Sequence, residues 1–308
     1  MDIPDQVRAG CTWVCERARS VRIEESAIDA YARGLPAAGK PGPPDPQTEL
    51  LEGDRETRAA FAICLNAINF GSGWWPTIRK RPGLSGYSTV AAGVVDRFCA
   101  EGPWSVDELS RLSAPEIAAS LGQDPEHPLM GQFAVSLRDV GARVGGDHGG
   151  SFAALVDDAA GSAVALATRL AGWPAFADVS VYEERRVPFY KRAQLAAADV
   201  CRAGLGSFPD RDRLTAFADN LVPHVLRVDG VLRVDPELER AIEAGELLEH
   251  GSPAEVELRA GAVHAVELLA AASPARLTPA EIDAALWNRG REPRYKALPR
   301  PRSRNTAY

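Results

Sequence analysis

The feature that most constrains this chain is a high density of helix-start signals set against very few strand signals. Four Ser/Thr-x-x-Glu boxes occur, at Ser105–Glu108, Ser113–Glu116, Ser252–Glu255 and Thr278–Glu281. In such a box the hydroxyl accepts the N3 amide while the Glu reaches back to the cap amide, satisfying two donors at once. Pro253 and Pro279 occupy the first helical position after two of the boxes, where a missing N–H costs nothing, and Asp235-Pro236 opens a further helix in the same way. Apolar residues recurring at three and four predict helices over roughly 5–34, 55–69, 85–100, 131–143, 151–171, 188–204 and 253–272. Strand signals reduce to LRVDGVLRV (226–234), where Asp229-Gly230 predicts a tight hairpin, and to a short strand over 179–182. The expected fold is mostly α, a single helical domain with a minor β-hairpin.

No repeat or long linker divides the 308 residues, so one domain over 1–308 is expected. Residues 35–53 (LPAAGKPGPPDPQTELLEG) predict a Pro/Gly-rich surface loop. The basic C-terminal tail, 289–308, carries Arg291, Arg294, Lys296, Arg300, Arg302 and Arg304. It reads either as a solvated charge run or as a segment that folds back and supplies cations to a phosphate.

A formal net charge of −7 argues against a stable complex with long nucleic acid, which calls for a basic footprint, but leaves nucleotides open. No apolar run reaches membrane-spanning length, and the start MDIPDQVRAG has neither a basic nor an apolar leader region, so a cytoplasmic protein without membrane contact is expected. The five cysteines suggest no disulfide framework, and no Cys/His spacing supports a metal site.

Three groups of residues stand out for chemistry. Asp219 in FADNLVP precedes Pro223, where one helix ends and another can begin. A carboxylate there either caps a helix or faces a cleft, where it would stabilise a positively charged glycosyl transition state. Lys191 in PFYKRAQ stands early in a helix, against the dipole, and calls for an anionic partner unless it is solvated. NAINFGSGWWP (66–76) joins Asn69 and Phe70 to Trp74 and Trp75 through Gly71-Ser72-Gly73, which suits either base stacking or a buried aromatic cluster. Glu257, with Gly261 four residues on, has no partner along its own helix.

Taken together, VRAGCTWVCERARSVRI, NAINFGSGWWP, the Phe176-Ala177-Asp178 triplet ahead of PFYKRAQLAAAD, FADNLVPHVLR, GSPAEVELRAGAVHAVELL and IDAALWNRG resemble the queuosine salvage protein family. The resemblance spans most of the chain. It implies a fold similar to helical DNA glycosylases and hydrolysis of queuosine 5′-monophosphate, or of queuosine, to release queuine. No metal or organic cofactor is implied. Asp219 and Lys191 are then the catalytic pair, with Asn69, Phe70, Trp74, Trp75, Asp178 and Glu257 against substrate. The acids are candidate partners for the ammonium on the deazapurine base. The tail LPRPRSRNTAY departs from the family pattern, with Arg300 and Pro301 where a His-containing run is common. A DNA-type N-glycosylase and a nucleotide-binding module without turnover are the competing readings.

Overall fold

A computed structural model describes residues 1–35 and 53–308, so the loop expected over 35–53 lies almost wholly outside the described residues. Fifteen α-helices and two two-stranded antiparallel sheets make up the regular structure of the described residues. The chain is mostly α, as the capping signals require. None of these helices is long and apolar enough to cross a membrane.

Two apolar cores form. The first gathers Arg55–Ala67, Gly86–Glu101, Pro128–Asp147, Ala163–Ala171 and Lys191–Arg202 with the shorter helices between them. The second gathers Ile3–Cys15, Glu25–Arg33, Leu221–Val228, Pro253–Ala272 and Pro279–Arg289. Pro253–Ala272 is buried on almost every face, as a helix that is apolar all round must be. Ala171 and Tyr190 pack against both cores and mark the seam between them.

Local signals set most helix ends. Ser105, Ser113 and Thr278 form reciprocal boxes with Glu108, Glu116 and Glu281. At Ser252 only half of the box forms: its hydroxyl accepts the Glu255 amide, while the Glu255 carboxylate turns inward to accept the Gly251 amide.

Three expectations need correction. The stretch 5–34 is two helices interrupted by a strand, Val21–Ile23, and 151–171 breaks at Ala160 and Gly161, both left-handed. The hairpin is not at 226–234. Leu221–Val228 is helical, Gly230 has φ of 78° just past its end, and Leu232–Val234 pairs with Val21–Ile23 far away in sequence. A left-handed Gly ends a helix as readily as it turns a hairpin, and the neighbouring core decided which. The true hairpin joins Val179–Tyr182 to Arg185–Pro188 through Glu183 and Glu184, both at positive φ, as a type I′ turn needs.

Candidate active site

Lys191, Asp219 and Asp283 converge at the seam, each carried by a different element. Asp219 ends an extended stretch ahead of Leu221–Val228, and its Oδ1 accepts the Leu221 and Val222 amides at 2.8 and 3.0 Å. It therefore caps the helix. Its Oδ2 has no hydrogen-bond donor among the described residues, and the residue lines a narrow cleft. Capping and facing a cleft are compatible here, because one oxygen serves each.

Lys191 is the first residue of Lys191–Arg202 and is fully buried. Its Nζ donates to the Asn69 carbonyl at 3.0 Å. Burial drives its pKa down to about 8, against the opposing pull of the Asp219, Asp283 and Asp178 carboxylates. Tyr190, just before it, is left-handed at φ 48°, a conformation that costs a bulky residue about 1–2 kcal/mol. Asp178 holds that bend in place. Its carbonyl accepts the Phe189 and Tyr190 amides and its Oδ2 accepts the Lys191 amide, so three successive donors end on one residue.

Asp283, on Pro279–Arg289, was not singled out from the sequence. It is buried with Oδ1 accepting the Phe217 amide, and burial together with the nearby Asp219 charge raises its pKa well above the ordinary carboxylate value. The signal was there to read: a lone acid among Ile282, Ala284, Ala285 and Leu286.

Asp178 and Glu257 do not face a ligand. Asp178 forms a two-pronged pair with Arg259, at 2.9 and 2.7 Å, with both side chains buried. Glu257 Oε2 accepts the Arg19, Ser20 and Val21 amides at 2.7–3.0 Å, and its Oε1 accepts the Tyr182 hydroxyl at 2.8 Å. Glu257 thus meets its partners outside its own helix, but they are backbone amides and the Tyr182 hydroxyl. With both oxygens so engaged by the protein itself, neither acid is placed to meet the ammonium that the resemblance implies.

The aromatic segment divides. Phe70 is buried edge-on to Phe133 and beneath the Arg192 guanidinium, so it is core rather than a stacking face. Trp75 lies against Gly86, where a Cβ would come within 2.6 Å of its ring. Trp74 is half-buried at the edge of the first core, and Asn69 is half-buried beside Lys191. The Gly71-Ser72-Gly73 turn receives the tail: the Gly73 amide donates to the Ser303 carbonyl at 3.1 Å and the Gly71 amide to the Tyr308 carbonyl at 3.1 Å. A Cβ on Gly73 would lie 2.7 Å from the Ser303 oxygen, which is why glycine stands there.

The tail is therefore not a solvated charge run. It folds back along the seam, with Arg302 bridged to Leu247, Asn220 donating to the Pro301 carbonyl and the Tyr308 ring 4.5 Å from the Arg259 guanidinium. Together with Asp219, the tail residues Pro301, Arg302 and Tyr308 line the cleft, along with Glu255 and Arg259. Among the described residues no group of three or more His, Cys, Asp or Glu side chains is placed to hold a metal ion.

This arrangement, a half-free carboxylate beside a buried amine of lowered pKa, suits stabilisation of a developing cation with a proton source at hand. Comparison with known proteins agrees with that chemistry. The chain is 34% identical over 309 aligned positions to the queuosine 5′-phosphate N-glycosylase/hydrolase of Sphaerobacter thermophilus, covering 96% of this chain and 95% of that protein. It is 30% identical to the protein of the same name from Dictyostelium discoideum, covering 82% and 79%, and 32% identical to the one from Mus musculus, covering 59% of each. Residues 50–308 match the family described as queuosine salvage protein, and the chain belongs to that family.

Proposed function

We propose that this protein hydrolyses the N-glycosidic bond of queuosine 5′-monophosphate, releasing queuine and ribose 5-phosphate. The observation that carries this reading is the Asp219 carboxylate, pinned through one oxygen and open through the other at a cleft beside Lys191. The bond from the ribose C1′ to the base nitrogen breaks as positive charge grows on the sugar. The free oxygen of Asp219 stabilises that charge and orients water, whose hydroxyl ends on C1′ and whose proton ends on the base. A proton held at a pKa of about 8 is matched to neutral conditions, and Lys191 shares it with the departing base or the water. Asp283, held above the ordinary carboxylate range, keeps a second negative charge from accumulating beside Asp219. Trp74 and Asn69 remain the candidates to hold the base, by stacking and by its polar edge.

Mass spectrometry of the base released from queuosine 5′-monophosphate and from queuosine tests the reading directly. Queuine should appear with the monophosphate. Unchanged substrate from folded protein would leave a nucleotide-binding module as the better description, and release of bases from DNA would favour the DNA-type glycosylase.

A further inference from the structure

Most charged groups around the cleft have a partner of opposite sign. Asp219 and Asp283 act on Lys191, Asp178 is paired with Arg259, and Glu255 stands between Arg259 at 3.9 Å and His250 at 3.6 Å. Two guanidinium groups have no carboxylate partner among the described residues. Arg302 lines the cleft half-buried, and its guanidinium has no hydrogen bond or ion pair among the described residues. Arg300, two residues earlier, donates to the Gly290 carbonyl and has no carboxylate within ion-pair distance among the described residues. Burial and the nearby Arg302 both work against protonation of Arg300, and Asp219 favours it.

Holding two like charges together, partly desolvated and without an anion, is unfavourable, and a solvated tail would let them separate. The tail is not free to do so. The Arg302 carbonyl accepts the Leu248 amide at 2.8 Å, and Pro301 is held by Asn220, the residue that follows Asp219. The backbone thereby keeps Arg302 at the cleft that holds the candidate catalytic carboxylate, with Arg300 close enough to feel the charge of Asp219.

We propose that Arg300 and Arg302 bind the 5′-phosphate of the substrate, an inference that rests on the nucleotide reading above. A phosphate monoester carries about −1.5 to −2 charge at neutral pH, and two guanidinium groups without a carboxylate partner can meet it. Guanidinium groups also grip phosphate oxygens in pairs, which an ammonium cannot do. The phosphate then anchors the ribose with C1′ towards Asp219, and the same contacts hold ribose 5-phosphate after the base has left.

The test uses the whole protein, with ribose 5-phosphate as the probe, followed by calorimetry. Arg302→Met should weaken its binding about 10- to 100-fold, the loss expected for one or two charge-assisted hydrogen bonds. The ratio of kcat/KM for the monophosphate to that for the nucleoside should fall by a similar factor, and Arg302→Lys should recover part of both. Folding should survive, because the tail is held at this point by the Arg302 carbonyl rather than its side chain; an unchanged circular dichroism spectrum and melting curve check this. Ribose 5-phosphate affinity within twofold of wild type in a folded Arg302→Met protein overturns the proposal. If wild type binds ribose 5-phosphate through Arg302 yet releases no queuine, the anion site stands and the glycosylase reading falls. If wild type releases queuine but Arg302→Met leaves the substrate ratio unchanged, the glycosylase stands and the phosphate site falls.

Discussion

At the scale of single residues, the proposed mechanism gives one carboxylate two tasks that the sequence presents as alternatives. Asp219 Oδ1 caps Leu221–Val228 while Oδ2 is left for a ligand. Asn is about as good a cap as Asp, so Asp219→Asn should keep the melting temperature close to wild type while turnover falls about 10²–10³-fold, the cost of one electrostatic contact to developing charge. Near wild-type queuine release by that variant would reduce Asp219 to a cap. Lys191 adds a pH dependence whose sign follows from its environment. Its folded pKa of about 8 lies below the ordinary value of 10.5, so the unfolded chain binds more protons between those limits and stability rises with pH through that window. Activity that needs the protonated amine runs the other way, declining as pH rises through about 8. A pH–rate profile should show that alkaline limb in wild type and lack it in the residual rate of Lys191→Met. A wild-type profile flat to pH 10 would show that the proton on Lys191 is not used.

At the scale of elements, the segment 66–76 shows how composition misleads about purpose. Two tryptophans beside a Gly-Ser-Gly turn suggested flat faces offered to a base, yet the turn is a dock for the tail and Trp75 packs on the first turn of Gly86–Glu101. The ring of Trp75 leaves no room for a methyl group on Gly86, where an added Cβ would sit 2.6 Å from its Cγ. Gly86→Ala should therefore cost about 1–3 kcal/mol by overpacking, read as a lower midpoint in urea, with little change in kcat per folded molecule. A larger loss in substrate affinity than in stability would return Trp75 to the binding surface. The hairpin error has a similar origin. Asp229-Gly230 encodes a left-handed turn, and the same local geometry ends a helix here because Val231 and Leu232 find their places in the second core.

At the scale of the whole molecule, the site exists because two cores meet. Asp178 is central to that meeting: it bends the chain into Lys191–Arg202 and anchors Arg259 of the central helix Pro253–Ala272. Asp178→Ala should remove about 3–5 kcal/mol of stability by leaving Arg259 buried without its carboxylate, and thermal unfolding would measure it. A shift below 1 kcal/mol would mean that Glu255 suffices as the partner of Arg259. The division between sequence and tertiary structure follows the range of the interactions. Capping boxes, apolar periodicity and turn glycines act within a few residues, so the helical class, most helix starts and the short strand at 179–182 were legible in the chain itself. The family motifs likewise pointed to Asp219 and Lys191 as a pair. What Asp178 and Glu257 bind, why Asp283 belongs with Asp219, and where the tail lies depend on contacts across tens to hundreds of residues. A buried charge carries no mark of its partner in the local sequence, because burial and pairing are properties of the packed seam, and only packing decided which acids were closed off by donors and which one was left open to a ligand.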